Sequence, residues 1–417
     1  MNKKIVDKIL ITLLFLFLYR LLAYVPVPGV DIAEIKRFFD QNANNALGLF
    51  NMFSGNAVER LSIISLGVMP YITASIIMEL LAATFPNIGK LKKERDGIQK
   101  YTQIIKYATI VITIIQSISV SFGLRSMGDG GVITIDMTSF VVISTFSMLA
   151  GTMLLLWIGE QITQRGVGNG VSLIIFAGIV SAIPSGIKAL FELVNTGQLN
   201  WLSLLAILAV MLGTIFVILY MELSERRIPV SYARKVVMQN QNKRIMNYIP
   251  IKVNLSGVIP AIFASALLIF PATILQSSSN PYLLKIADWI NPSGYLYNIL
   301  MFLFVIFFAF FYASIVFNSK DIAENLKKQG GFIPGLRPGE GTTGFLNDVV
   351  SNLTFWGALY LALISTLPWI ILKAMGLPFH FGGTAVLIVV QVAMDTMRKV
   401  EAQAYMDKYK MLSATGL

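Results

Sequence analysis

Side chains suited to acid–base or metal chemistry are few in this 417-residue chain and poorly placed for it. Its only histidine is His380, in a short loop, and there is no cysteine, so thiolate chemistry, disulfides and cysteine zinc sites are excluded. A Ser–His pair would have to rely on that one histidine, and no HExxH, GxSxG or Walker loop occurs. The carboxylates Glu79, Glu160, Glu222 and Asp395 fall near the ends of apolar runs. Arg20 lies deepest, where so long a side chain is expected to snorkel outward. A carrier of ions or charged solutes needs ionisable groups at mid-membrane depth. The midplane here holds instead Val68, Ile72, Val171, Ile175, Ile262 and Ile388, with Thr73, Gln116 and Ser265 as hydrogen-bonders. Such residues pack, seal and glue helices together; they make and break no bonds. Neither a catalysed reaction nor a cofactor is expected.

The elements that must hold these residues are membrane helices. The chain is 55% hydrophobic and 13% charged, with a mean hydropathy of +0.70, against about 25% charged residues in soluble domains. Runs of about twenty apolar residues predict ten spans, near 5–25, 62–85, 104–124, 140–160, 168–187, 201–221, 255–276, 296–317, 347–372 and 380–397. The first begins with Lys3, Lys4 and Lys8, as a signal peptide would. It is too long for one, and "YRLLAYVPVPG" offers no small-x-small cleavage site, so it reads as an uncleaved helix. Most of the 33 Lys and Arg fall in loops on the same side as the N-terminus, which puts both termini in the cytoplasm. Ten spans divide into five and five, the second half inverted, although no internal repeat is evident by eye.

Three segments outside the spans stand out. "LFNMFSGNAVER" (49–60) reads as a short amphipathic helix interrupted by Gly55 and too short to cross a bilayer. Between spans six and seven, residues Val236–Met238, Arg244–Met246 and Ile249–Ile251 suggest a projecting hairpin. Between spans eight and nine, "GGFIPGLRPGEG" forbids a continuous helix and predicts an ordered, kinked loop. Prolines 70, 184, 260, 271 and 368 are expected to kink or hinge the spans.

Long ordered strings then carry a resemblance. "VPVPG", "LFNMFSG" before "GVMPYITASII", "WIGEQITQRGVGNGVSLIIFAGIV", "KVNLSGVIPAIFASALLIFPATI", "NLKKQGGFIPGLRPGE" and "PFHFGGTAVLIVVQVAMD" follow one another along nearly the whole chain. Together they resemble the bacterial SecY family, the central subunit of a protein-conducting channel. The resemblance implies an all-α polytopic fold: ten transmembrane helices in two inverted halves, 1–187 and 188–417, closing like a clamshell around a pore. It implies a plug half-helix at 49–62, including Phe50, Asn51, Phe53 and Asn56. The pore ring would be Val68, Ile72, Val171, Ile175, Ile262 and Ile388, and the lateral gate would carry Thr73, Gln116 and Ser265.

The implied function is passage of unfolded secretory polypeptides across the cell inner membrane and sideways release of apolar segments into the lipid bilayer. The implied partners are the small subunits SecE and SecG, the SecA motor, the ribosome with a possible ribosomal RNA contact, and signal sequences and nascent polypeptides. Docking would fall on the basic loops 222–253 and 320–346 through Lys243, Arg244 and Arg337. The alternative is a secondary transporter of an uncharged or amphipathic solute. The absence of midplane charges and the plug-like segment speak against it.

Overall fold

The computed structural model describes residues 3–35, 51, 54–94, 97–127, 133–197, 199–232, 247–276, 282, 294–374 and 383–414. Phe50, Phe53, Lys243, Arg244 and His380 lie outside them. The helices are α1 (Lys3–Leu22), α2 (Met69–Thr84), α3 (Pro86–Lys93), α4 (Gly97–Met127), α5 (Met137–Arg165), α6 (Gly170–Asn195) and α7 (Trp201–Leu223). After a strand pair follow α8 (Ile259–Gln276), α9 (Tyr295–Val316), α10 (Ser319–Lys328), α11 (Glu340–Ala374) and α12 (Gly383–Ala414). Apart from the short α3 and α10, each falls on one of the ten predicted spans.

Six of these, α4, α5, α6, α7, α9 running on into α10, and α11, are long and apolar enough to cross a membrane. The pair α2 and α3, bent by 116°, makes a seventh if counted as one span. The other three are less apolar or shorter. Helix α1 carries Asp7, Lys8 and Arg20, α12 carries Asp395, Arg398 and Lys399, and the apolar part of α8 is Ile259–Ile269. They are packed into the bundle: α1 against α5 and α6, α8 against α9, and α12 against α7, α6 and α11. Large apolar side chains such as Leu202, Leu212 and Phe216 of α7 point outward, as a lipid solvent requires.

Local chemistry sets the helix starts. Asp136 and Asn169 cap α5 and α6 by accepting backbone N–H bonds from Thr138 (3.2 Å) and Val171 (3.1 Å). The second span differs from the prediction. Helix α2 begins only at Met69, because Gly67 has φ +57 and Pro70 in the first turn has no N–H to continue a helix backwards. Helix α8 begins in the same way: Gly257 has φ +65 and Pro260 is its second residue. Pro70 and Pro260 are therefore helix starts, where kinks were expected; Pro184, Pro271 and Pro368 do lie inside helices. The strings "GVMPYITAS" (67–75) and "GVIPAIFAS" (257–265) form a short internal repeat, where none was expected.

One small sheet adds to the helical fold. Strand β1 (Glu225–Tyr232) pairs antiparallel with β2 (Asn247–Lys252), with Arg226 opposite Ile251 and Ile228 opposite Ile249. Ile249–Ile251 of the expected hairpin thus pairs with Arg226–Ile228, while its Val236–Met238 and Arg244–Met246 lie outside the described residues. Strand β3 (Gly331–Phe332), from the loop after α10, pairs with the other edge of β1, giving the order β2-β1-β3. Ile228, Val230, Ile251, Leu326, Ile333 and Leu346 form the core beneath it, so the two basic loops share one folded unit.

Candidate functional site

Five predicted ring residues come together. Val68 precedes α2, Ile72 lies in its first turn, and Ile175, Ile262 and Ile388 come from α6, α8 and α12. All five are no more than 9% exposed. They line one cavity with Ser54, Leu66, Gly67, Met69 and Ser265. Its volume is about 10 Å³, room for roughly one water molecule. Six of the ten lining residues are branched aliphatics and only Ser54 and Ser265 are polar, so an ion entering would find little to replace its hydration shell. Val171, the sixth, is half-buried on the second residue of α6 and does not line this cavity.

The segment next to the cavity differs in form from the expected half-helix. Asn51 is helical, and Ser54 to Val68 is a run of turns. Its asparagines shape those turns. The side chain of Asn51 donates to Glu59 Oε2 (3.1 Å) and accepts the Glu59 N–H (3.0 Å), while its carbonyl accepts from Asn56 N (2.9 Å). Asn56 takes φ +64, a conformation asparagine tolerates better than most residues. Ala57, Leu61 and Ile64 are fully buried. The chain after α1 holds the segment through Val27 N to Leu61 O (2.8 Å) and Ile63 N to Val25 O (3.0 Å).

Arg20 does not snorkel. Its Nη1 donates to Gly55 O at 2.7 Å and to Ser181 Oγ at 3.1 Å, and Tyr19 Oη donates to Ser54 O at 3.2 Å. Two backbone carbonyls from 35 residues further on give these side chains an acceptor inside the protein, so they need not reach for water.

At the seam, α8 packs against both α2 and α4. The three polar residues there do not bond across it. Thr73 Oγ1 donates to Met69 O (3.1 Å) and Ser265 Oγ to Ile262 O (2.9 Å), each within its own helix, and Gln116 Oε1 has no partner among the described residues. The expectation that their hydrogen bonds staple the seam is therefore corrected, and apolar packing holds it.

Glu222, at the end of α7, is 3% exposed. Asn254 Nδ2 donates to its Oε1 at 2.6 Å, and Arg398 of α12 donates to its carbonyl at 2.8 Å. Asn254 Oδ1 also accepts the Gly257 N–H at 3.1 Å, so one cluster joins the base of the sheet, the start of α8 and the far part of α12. The carboxylates Glu79 and Glu160 pair with Lys92 (3.6 Å) and Lys106. Arg337 is exposed at the tip of its loop, whose Ile333 is buried in the core under the sheet.

A helical membrane bundle closed at its middle by an aliphatic constriction, with an irregular segment seated beside it, defines the class of gated polytopic channels. Comparison with known proteins names the group. The SecY family model matches residues 62–397. The protein translocase subunit SecY of Helicobacter pylori is 73% identical over 419 residues, covering 100% of both chains. A SecY structure whose plug domain is described as stabilising the closed state of the translocation channel superposes with a TM-score of 0.69 at 18% identity, covering 97% of this chain and 93% of that one. Sec61 in a canine ribosome-channel complex gives 0.66 at 16% identity, covering 97% and 94%. The chain belongs to the SecY family.

Proposed function

We propose that this chain is the channel subunit of a protein translocase, passing unfolded polypeptides through the aliphatic constriction and releasing apolar segments sideways between α8 and the α2–α4 pair. The observation that carries the reading is the convergence of Val68, Ile72, Ile175, Ile262 and Ile388 on one cavity of about 10 Å³. A seam held by packing suits sideways release. A signal-sequence core of about ten Leu, Ile, Phe or Val gains roughly 3–6 kcal/mol on entering lipid, and among the described residues Thr73, Gln116 and Ser265 make no hydrogen bond across the seam that must first be broken. Thr73, Gln116 and Ser265 are its gate positions, and residues 49–62 are its plug.

The repeated start of α2 and α8 supports a division into two five-helix halves, with the boundary moved from 187/188 to the end of α6, since that helix runs on to Asn195. The distribution of Lys and Arg supports cytoplasmic termini in the cell membrane. The basic loops joined in one sheet then face the cytoplasm. Lys243, Arg244 and Arg337 serve there as docking cations for a SecA-type motor and for the ribosome, ribosomal RNA included, while small subunits of the SecE and SecG kind pack on the outside of the bundle. Energy comes from these partners or from the proton-motive force. The test uses purified chain, with its copurifying subunits, in vesicles. Import of a secretory precursor into a protease-protected space, driven by an added motor, supports the channel. Uptake of a small solute without precursor import would support a transporter instead.

A further inference from the structure

We infer that Arg20, with Tyr19 and Ser181, forms a latch that holds the plug shut, Arg20 being its positioning residue. The inference rests on the plug reading of residues 49–62. Arg20 sits in the last turn of α1, and one nitrogen of its guanidinium ties together three elements: α1 itself, Gly55 of the plug through its carbonyl, and Ser181 of α6. Both partners are neutral oxygens. Tyr19, 2% exposed, adds a bond to the preceding carbonyl, Ser54 O. Two successive plug carbonyls are thus held by two successive residues of α1. A third contact lies alongside, with the Arg60 guanidinium 4.2 Å from the Tyr24 ring centroid.

The backbone is built for this contact. Gly55 has φ +69, and a Cβ there would stand 3.0 Å from Gly178 Cα, Ser181 Oγ and Tyr19 Oη. Only glycine lets the chain lie this close to α6 and turn its carbonyl toward Arg20. The rest of the plug is seated by apolar contacts of Ala57 and Leu61, which are non-directional, and at its far end by the backbone bond from Val27 N to Leu61 O. The latch adds direction at Ser54 and Gly55. Displacing the plug costs Arg20 its shortest hydrogen bond and leaves it Ser181 Oγ and the Tyr24 ring, whose centroid is 5.2 Å from the guanidinium.

The test uses the absence of native cysteine. A single cysteine at Ala57, which is fully buried, is labelled with a membrane-impermeant maleimide in lipid nanodiscs, and a single cysteine at Ala309 of α9, equally buried, controls for general loosening. Arg20→Met should speed labelling at position 57 by about 10- to 100-fold, the span expected for loss of one charge-assisted hydrogen bond, and leave position 309 protected. Arg20→Lys, which keeps a cationic donor, should restore most of the protection, while Ser181→Ala and Tyr19→Phe should each give a smaller rise. These two milder variants decide the matter if Arg20→Met does not accumulate. No rise at position 57, or a rise matched at position 309, overturns the latch. Deletion of 50–60 separates the two readings. A deletion that conducts ions while the latch variants neither label nor conduct leaves the plug standing and removes the latch. A deletion that is silent removes both.

Discussion

Ile72 and Ile262 occupy equivalent places in two different helices and face the same cavity. The Ile72 N–H bonds to Val68 O at 3.1 Å, and the Ile262 N–H bonds to Val258 O at 3.2 Å. Each isoleucine stands five residues after a glycine of positive φ and two after a proline. The same start, used twice, delivers one branched side chain from each side to the constriction.

Replacing Ile72, Ile175 and Ile388 with glycine should therefore make the resting channel conduct ions, because removing branched side chains admits water and ends dewetting. Single-channel recording in planar bilayers checks this, and current at background would show that these residues do not form the seal.

The two glycines should differ in their tolerance of alanine. Both positions carry the left-handed strain of about 1–2 kcal/mol. At Gly257 the new Cβ would also stand 2.9 Å from Gln391 Nε2, whereas at Gly67 the nearest atom is Ser54 Cα at 4.0 Å. Gly257→Ala should destabilise the protein more than Gly67→Ala, measured as thermal unfolding in detergent; the reverse order would contradict the close approach of Gly257 to Gln391 of α12.

Asn254→Ala should lower stability by about 1–3 kcal/mol, the cost of leaving buried polar groups unsatisfied, because Glu222 Oε1 and the Gly257 N–H both lose their partner. The same unfolding measurement checks it. Combining Asn254→Ala with Glu222→Leu should recover part of the loss, since the carboxylate that needed the amide is then gone.

Reversing the charge at the loop tips, Arg244→Glu with Arg337→Glu, should reduce motor-driven precursor import and motor binding several-fold at matched amounts of folded protein. Arg337 is exposed and forms no ion pair among the described residues, so its loss should not cost folding. Unchanged import would remove these cations from the docking surface.

The sequence makes some of this architecture plain and hides the rest for identifiable reasons. Hydropathy places the ten main helices, six or seven of them long and apolar enough to cross a membrane, since burial in lipid acts on every residue of a run. It misplaces the start of the second, where Gly67 and Pro70 override an apolar run that continues back to Leu61. Isoleucine at 72, 175, 262 or 388 looks like any core isoleucine, and only the resemblance of the flanking strings picked it out. The anchoring of Arg20 is hidden because its partners, Gly55 O and Ser181 Oγ, lie 35 and 161 residues away, beyond any local pattern. The apolar character of the seam is hidden because threonine and serine inside a helix can bond their own preceding carbonyls, as Thr73 and Ser265 do.

The central claim, that a polypeptide passes through the constriction, is tested most directly by placing a photo-crosslinking residue at Ile175, at Ile388 or at the outward-facing Leu205, and stalling a secretory precursor in mid-transit. The expected result is crosslinking of the mid-chain, polar part of the precursor at 175 and 388 and its absence at 205. Crosslinking at 205 with none at 175 and 388 would contradict the claim.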